Sequence, residues 1–443
     1  MWPIILLLLS ILLIVFLTNR LKLHPFFSLI LAAFFYGSLN SNISLSEVII
    51  SINNGFGKTL GYIGIVILAG SIIGKFLENS GGAFRMADYA YRKLGKKRVT
   101  WANGILGYII SIPVFCDAAF IILSPLSRSL AKRAAVPVAS CAISLSLGLY
   151  LTHSMVPPTP GPVAAAGIIE ADLGLIIIFA IIVSIAGLVA GVTFAKYAGR
   201  KVILPYEEVS DNIPDLNKTP GVFKSIIPIL LPLILIILRS ISNYPSHPFG
   251  GGMLIEILDI IGQPVVALII GALISFGLPA KFEKGMLSSS GWVGEAVTGA
   301  AGIIVITGAG GAFGQVLKDS GIGDVIQDNL TGLEGIGIWL PFIIASALKT
   351  AQGSSTVAII TTAGLVAPML PVLGLDDPNS RALAVIAIGA GSMMISHTND
   401  SFFWVVSQMT KLNLSQGLKL QSLGSVVVGL VTGFVVWILN MLF

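Results

Sequence analysis

The sequence predicts an all-α, polytopic membrane protein made of two inverted repeats of five spans each. Of its 443 residues, 55% are hydrophobic and only 11% are charged, whereas soluble domains carry about 25% charged residues. Apolar runs of roughly 20 residues, the length that a helix needs to cross a bilayer, recur along the chain. Several runs are interrupted by short polar or proline-rich sequences, and short motifs of the first half recur in the second.

The first half, residues 1–198, is predicted to form the first repeat. Full-length spans are expected near residues 2–19, 25–40, 59–78, 135–168 and 172–197. The span 135–168, the first broken span, contains LTHSMVPPTPGP, and prolines so close together cannot continue a helix. Residues 100–130, the first hairpin, form two apolar arms around the sequence SIP, which predicts helices that enter the membrane and return. The opening run lacks a preceding basic segment and a small-residue cleavage site, so we expect a retained span.

The second half, residues 223–443, follows the single long polar stretch, 199–222, which we interpret as a cytoplasmic linker. Its spans are expected near residues 225–242, 254–279, 294–316, 381–408 and 418–442. The span 381–408, the second broken span, is interrupted by the polar sequence SHTND, and residues 336–372, the second hairpin, by QGSST. Non-helical backbone at membrane depth persists only where protein or a polar cavity satisfies it. Such breaks are typical of the substrate sites of secondary transporters.

The distribution of basic residues orients this layout. With the N-terminus outside, most of the 26 Lys and Arg residues fall in predicted inner loops, while the outer loop 318–334 is acidic. This asymmetry follows the positive-inside rule, and it fails if either hairpin counts as one crossing. Ten crossings therefore place both termini outside, with the first hairpin entering from the cytoplasm and the second from outside.

Three pairs of short sequences relate the two halves. GKFLENSGG, FCDAAFII and LTHSM of the first half align in the same order with GQVLKDSGI, GSSTVAII and ISHTN of the second. Since each half has an odd number of crossings, the second repeat is inverted, and inverted repeats place the substrate at the bilayer midplane between broken helices. The alternative interpretation is that membrane segments rich in small residues often look alike.

Two ionisable residues of the first half are candidates for that site. Asp117 lies just past the tip of the first hairpin. A buried carboxylate costs several kcal/mol unless it is paired or protonated, which suits a proton carrier, although an aspartate here can also cap the returning helix. His153 directly precedes the proline break and is a candidate by its depth, while a lone histidine is more often a packing residue.

The breaks of the second half supply polar groups suited to an anion. A helix that starts at the second hairpin offers unpaired N–H groups and the positive end of its dipole, although capping and close packing explain the same residues. The candidates there are Gln352, Gly353, Ser354, Ser355 and Thr356. In the second broken span, Asp400 either carries a proton or caps the next helix, and the remaining candidates are His397, Thr398 and Asn399.

These motifs resemble the gluconate permease (GntP) family along nearly the whole chain. The resemblance is strongest at GFGKTLGYIG, GKFLENSGGA, PVFCDAAFIILSPL, HSMVPPTPGPVAAAG, KTAQGSSTVAIITTAGL and SHTNDSFFW. It implies a bacterial inner-membrane homodimer that imports sugar acids such as gluconate, or glycerate or D-serine in some members, together with protons. It also implies a fixed scaffold and a mobile transport domain that moves by an elevator mechanism. The familiar gluconate carriers have a glutamate at the position of Asp117 and often a histidine at that of Thr159, so the particular substrate stays open.

The expected function is therefore proton-coupled uptake of a small hydroxylated carboxylate. We expect the hydroxyls of the second hairpin to hold the carboxylate, Thr159, Thr398 and Asn399 to read substrate hydroxyls, and Asp117, with His153 or His397, to take the proton. The main alternative is a cation/proton antiporter with an acidic pair formed by Asp117 and Asp400.

Other classes of function find less support in the sequence. An enzyme is not expected, because the chain has no HExxH motif or other clear catalytic signature. With four histidines, two of them in loops, neither a metal site nor a cofactor other than the proton is expected. The net charge of +5 resides in short loops and does not indicate nucleic-acid binding. A channel would lack saturable, gradient-driven accumulation.

Overall fold

The computed structural model describes residues 2–94, 98–202, 204, 219–243, 252–322, 324–325 and 337–442, and these residues contain helices but no strand. The helices of the first half are α1 (Trp2–Asn19), α2 (Pro25–Leu39), α3 (Leu45–Asn79), α4 (Gly82–Leu94), α5 (Val99–Ile110), α6 (Cys116–Ala134), α7 (Val138–Met155), α8 (Pro160–Ile169) and α9 (Leu173–Gly199). Most of the linker 199–222 and of the acidic loop 318–334 lies outside the described residues.

The second half repeats much of this order. Its helices are α10 (Val222–Ser242), α11 (Met253–Ile261), α12 (Pro264–Ser275), α13 (Trp292–Asp319), α14 (Trp339–Gln352), α15 (Ser355–Val366), α16 (Pro378–Gly391), α17 (Ser401–Thr410) and α18 (Leu414–Asn440). The helix pairs α5–α6 and α14–α15 occupy the two predicted hairpins. The pairs α7–α8 and α16–α17 occupy the two broken spans, with their helix ends at the expected interruptions.

In two predicted spans the helices differ from those expected. Helix α3 begins at Leu45 rather than near residue 59, because Ser44 and Glu47 form a capping box: the Ser44 side chain accepts from the Glu47 N–H, and the Glu47 carboxylate accepts from the Ser44 N–H at 2.8 Å. The span 254–279 is not one helix, since α11 and α12 meet at an angle of 70°. Pro264 starts α12, and proline at the first helical position suits a new helix better than a continued one.

The number of crossings is supported in part by helix length. Among the described residues, five helical segments are long and apolar enough to span a membrane, if the pair α7–α8 is counted as one segment. Two bent segments, α3 and the pair α11–α12, raise the number to seven. The three other predicted crossings are the shorter helices α1 and α2 and the second broken span. The chain is thus a multi-pass helical protein, while ten crossings and their orientation stay predictions.

Helix packing pairs the two halves in corresponding ways. Helix α5 packs on α7, as α14 packs on α16, and α7 packs on α9, as α16 packs on α18. Likewise α2 packs on α13 and α12 on α3, while α8 contacts α15 and α17 contacts α6. The corresponding helices α3 and α13 contact each other extensively. They cross so closely that a Cβ on Gly55 would lie 2.5 Å from the Gly311 carbonyl oxygen.

Glycines on α3 also allow the tip of the first hairpin to approach. A Cβ on Gly74 would lie 2.1 Å from the carbonyl oxygen of Pro113, and one on Gly70 would lie 3.2 Å from that of Pro158. The hairpin tip and the break between α7 and α8 therefore both lie against a surface of α3 that has no side chains at these positions. This contact places the two interruptions of the first half side by side.

Candidate substrate site

The first hairpin tip and the first broken span enclose a small pocket. Its lining includes Phe115 at the start of α6, His153 on α7, Thr159 before α8, and Ser71 on α3. The His153 ring lies 6.0 Å from the ring of Phe115, measured between centroids. His153 is buried, and its Nδ1 has no hydrogen-bond partner within the described structure. The Ser71 hydroxyl is likewise buried and unpartnered in the part of the chain that the structure describes.

Thr159 also lines this pocket. Its hydroxyl donates to the carbonyl oxygen of Val156 at 2.6 Å. The same carbonyl also accepts from the Thr159 N–H at 3.4 Å, so backbone and side chain of Thr159 together stabilise the turn between α7 and α8. Thr159 lines the pocket, but its one donor is engaged.

Asp117 stands in the first turn of α6, where the helix dipole favours a negative charge. The residue at the N-cap position is Phe115, and no side chain caps this helix. The Asp117 Oδ1 is buried and has no hydrogen-bond partner among the described residues. Asp117 is therefore not the cap of α6, which was the alternative role predicted for it. Its Oδ1 is available to bind a proton or a ligand.

The second hairpin turns at Gly353, whose φ of +83° is left-handed. A Cβ there would lie 2.0 Å from the Asn399 carbonyl oxygen, so only glycine allows the tip to touch the second broken span. Ser354 caps α15, since its side chain accepts from the Val357 N–H at 3.3 Å. Ser355 is buried and Thr356 is half-buried beside it. Both amide atoms of Gln352 are buried without a hydrogen-bond partner in the described residues.

The second broken span holds this tip through its unwound segment. The Asn399 side chain donates to the Thr350 carbonyl oxygen at 2.7 Å, and the His397 Nε2 lies 3.1 Å from the same oxygen. Thr398 and Asn399 are exposed. The Thr398 carbonyl oxygen accepts from the Trp404 indole N–H at 2.8 Å. These side chains form a rim next to the hairpin rather than a closed pocket.

A buried ion pair joins the same two elements. The Lys349 ammonium donates to Asp400 Oδ2 at 2.7 Å and to the Gly353 carbonyl oxygen, and the Lys349 side chain is 0% exposed. Asp400 Oδ2 also accepts from the Ser396 hydroxyl at 2.5 Å, and Oδ1 accepts from the Phe402 N–H at 3.0 Å. Asp400 thus caps α17, which is one of the two roles predicted for it, and its carboxylate is also paired with Lys349.

Two residues of this region, Lys349 and Ser71, are not among those predicted from the sequence. Lys349 carried a usable signal, because a lysine in the apolar arm of a hairpin is an ionisable group at membrane depth. Ser71 had no comparable signal, since an isolated serine is common in membrane helices. Its place in the pocket depends on how α3 packs against the first hairpin.

Aromatic rings connect the two groups of residues. The ring of Tyr150 lies 5.5 Å from that of Phe402, which lies 6.1 Å from that of Phe120, and the Lys349 ammonium lies 5.7 Å from the Tyr150 ring centroid. Helix α6 of the first hairpin contacts α17 of the second broken span, and α8 of the first broken span contacts α15 of the second hairpin. The four interruptions therefore belong to one region of the protein, as the sequence predicts.

A separate, larger cavity of about 690 Å³ lies where α3 and α13 meet the ends of α8 and α15. Lys58 of α3 forms an ion pair with Glu170 at 2.5 Å, which links α3 to the end of α8. The hydrogen bond from Lys58 holds the pKa of the Glu170 carboxyl below its usual range. Arg381 and Lys318 also line this cavity. Glu170, Lys318 and Arg381 lie at the ends of their helices, whereas Lys58 lies within α3.

The sequence of this chain matches a known protein family. A model of the GntP family permeases matches residues 2–442. The gluconate permease of Pseudomonas aeruginosa is 35% identical over 92% of this chain and 90% of its own length. The inner membrane permease YgbN of Escherichia coli is 36% identical over 96% of each chain, and the Gnt-II system L-idonate transporter of the same organism is 32% identical over 94% of each.

Two solved structures share the fold. The YdaH transporter of Alcanivorax borkumensis superposes with a TM-score of 0.69 at 14% identity, covering 95% of this chain and 99% of that one. MtrF of Neisseria gonorrhoeae, from a class of antimetabolite efflux pumps, gives a TM-score of 0.62 at 16% identity, over 95% and 96% of the chains. At these identities the likeness concerns the fold alone, and both of these proteins are transporters.

Proposed function

This chain belongs to the GntP family of permeases and is a membrane transporter rather than an enzyme, and from that premise we propose that it imports a small hydroxylated carboxylate by proton symport. Gluconate or a related sugar acid is the first candidate, because several relatives are named for gluconate or L-idonate. Glycerate and D-serine, which present the same carboxylate beside a hydroxyl or amine, are the alternatives within this class.

One observation carries the proposal: of the buried polar atoms without partners among the described residues, which are spread over many helices, five lie at the interruptions or line the pocket beside them. They are Asp117 Oδ1, His153 Nδ1, the Ser71 hydroxyl and the Gln352 amide. Buried polar groups in proteins normally have hydrogen-bond partners, and leaving one unsatisfied costs about 1–3 kcal/mol. A polyhydroxylated acid supplies both donors and acceptors, so its binding would satisfy such a set.

The carboxylate of the substrate is proposed to bind at the start of α15. The first N–H groups of that helix, the hydroxyls of Ser355 and Thr356 and the Gln352 amide all belong to this turn, while Ser354 is occupied as a cap. A helix N-terminus with adjacent hydroxyls is suited to an anion. Thr398 and Asn399 at the rim are candidates to contact the substrate hydroxyls, and Thr159 is assigned to the turn it stabilises.

Asp117 is proposed as the group that carries the proton. Of the two acidic candidates, Asp400 is compensated by Lys349, whereas one oxygen of Asp117 is buried without a partner in the described structure. A carboxyl group that is uncompensated when ionised is favoured to bind a proton at membrane depth. His153, in the neighbouring pocket, would assist the transfer.

The transport cycle is proposed to follow an elevator mechanism in an inner-membrane homodimer, with both termini outside. The corresponding helix contacts of the two halves support inverted repeats at residues 1–198 and 223–443, joined by the linker 199–222. In this arrangement α3 and α13 belong to the scaffold, and the hairpins with the broken spans move together.

Uptake into proteoliposomes tests this function. With an imposed pH gradient, acid outside, labelled gluconate should accumulate, and a protonophore should abolish the accumulation. Unlabelled glycerate, D-serine and L-idonate added as competitors identify the preferred substrate. Uptake that ignores the pH gradient but requires sodium would contradict proton symport.

A cation/proton antiporter is the second candidate, because an acidic pair at membrane depth is suited to exchange protons for cations. It requires Asp117 and Asp400 to act together, and the ion pair of Asp400 with Lys349 disfavours this. Sodium/proton exchange in the absence of any organic acid would favour the antiporter.

A further inference from the structure

The Lys349 ammonium lies among oxygen atoms at the tip of the second hairpin. It contacts the Gly353 carbonyl oxygen and Asp400 Oδ2, and the Ser396 hydroxyl hydrogen-bonds to the same carboxylate oxygen. No part of the Lys349 side chain is exposed. A lysine is almost never fully buried unless it is paired, and the partner of Lys349 is Asp400.

These oxygen atoms are of the kind that bind a monovalent metal cation. In transporters with broken helices, unwound carbonyl groups and the C-terminal ends of half-helices coordinate sodium. Here Gly353 is the residue that ends α14, and its carbonyl oxygen faces the ammonium together with a carboxylate and near a hydroxyl. The negative end of the α14 dipole adds to the attraction for a cation.

We propose that the Lys349 ammonium is a resident cation that fills a sodium-type site between the second hairpin and the second broken span. This inference rests on the proposed function and deepens it, because a site filled by the chain itself explains why uptake would be driven by protons without sodium. Lys349 is then a positioning residue. It holds the Gly353 turn against Asn399, and so aims the first N–H groups of α15 at the substrate.

Replacing Lys349 by alanine removes the ammonium and leaves the proposed cation site empty. In Lys349→Ala, the Asp400 carboxylate, the Gly353 carbonyl and the Ser396 hydroxyl remain, and one positive charge is missing. Sodium ions supply that charge, whereas choline is too large to enter. In Lys349→Ala with Asp400→Asn, the missing charge no longer has a counter-charge, so sodium gains little by binding.

The experiment measures thermal stability and gluconate uptake in sodium chloride and in choline chloride at equal ionic strength. Wild type should show the same melting temperature and the same uptake in both salts. Lys349→Ala should take up gluconate more slowly than wild type in choline, because breaking a buried pair destabilises the site that it holds. Sodium should raise both the melting temperature and the uptake of this variant, chiefly by lowering KM. The double variant should respond to neither salt. Lys284→Ala, which removes an exposed lysine far from the hairpin tips in sequence, is the matched control and should behave as wild type.

Several results would overturn the inference. One is a folded Lys349→Ala that sodium neither stabilises nor activates, and another is an equal sodium response in the double variant. If Lys349→Ala does not fold, the wild type decides, since a sodium-specific rise in its melting temperature would mean that the site is not already filled. Failure of the proposed function is distinguishable, because the melting temperatures report on the cation site even if wild type transports none of the acids tested.

Discussion

The substitution Gly353→Ala should destabilise the tip of the second hairpin. Two costs apply, because φ is +83° and the added Cβ would lie 2.0 Å from the Asn399 carbonyl oxygen. A left-handed conformation costs an alanine about 1–2 kcal/mol, and overpacking costs about 1–3 kcal/mol more. The total destabilisation should therefore be about 2–5 kcal/mol.

Gly374→Ala separates these two costs. Gly374 also has a positive φ, +68°, but a Cβ there would meet no atom within 4 Å. It should lose only the conformational part, about 1–2 kcal/mol. Thermal unfolding in detergent should rank the proteins in the order wild type, Gly374→Ala, Gly353→Ala.

Uptake per folded molecule should fall about tenfold or more only in Gly353→Ala, since binding sites tolerate displacements of about 0.5 Å. If the two alanine variants melt and transport alike, the contact between the hairpin tip and Asn399 does not have the role assigned to it.

Three further substitutions test other parts of the structure. Asp117→Asn should keep the fold, because Oδ1 has no hydrogen bond to lose within the described structure, but uptake should no longer respond to the pH gradient, whereas Asp117→Glu should respond. Asp400→Asn leaves the buried Lys349 without a counter-charge and should lower stability to unfolding by about 3–5 kcal/mol; adding Lys349→Met should restore part of the loss, and an additive double variant would contradict the ion pair. Lys58→Gln should lower the melting temperature slightly at pH 7, because Lys58 depresses the pKa of Glu170. A depressed carboxyl pKa contributes stability above the unfolded pKa of about 4.3, and this stability is lost as the pH falls through the folded pKa. The melting temperatures of wild type and variant should therefore converge in acid, and a difference that does not change with pH would exclude this ion pair as the cause.

Much of the fold could be predicted because its signals are local. The breaks in the four interrupted segments are visible as prolines or small polar residues within apolar runs. The early start of α3 was missed because residues 45–58 include asparagines and a lysine, which lower the mean hydropathy although a capping box starts the helix there. The bend between α11 and α12 had a signal, Gly262-Gln263-Pro264, that apolar length alone does not register.

The candidate site was harder to predict because its partners are distant in sequence. Lys349 and Asp400 are 51 residues apart, and no local pattern indicates that the hairpin tip turns the lysine toward that carboxylate. For the same reason, the sequence did not decide whether Asp400 carries a proton or caps a helix. Its pairing with Lys349 favours the capping role. For Thr159, the residue type suggested a ligand contact, whereas the geometry of the turn engages its hydroxyl with Val156.

The bare surface of α3 at Gly70 and Gly74 bears on how fast such a carrier can work. Interlocked side chains must separate before two helices can shift past each other, and each separation forfeits dispersion energy. At Gly74 the α3 backbone meets the carbonyl group of Pro113, and at Gly70 it meets the carbonyl oxygen and ring of Pro158. In the proposed elevator movement, α3 therefore has no side chain to disengage at these two positions. Leucine at position 74 would obstruct that proposed movement, and we expect it to slow the turnover of the carrier.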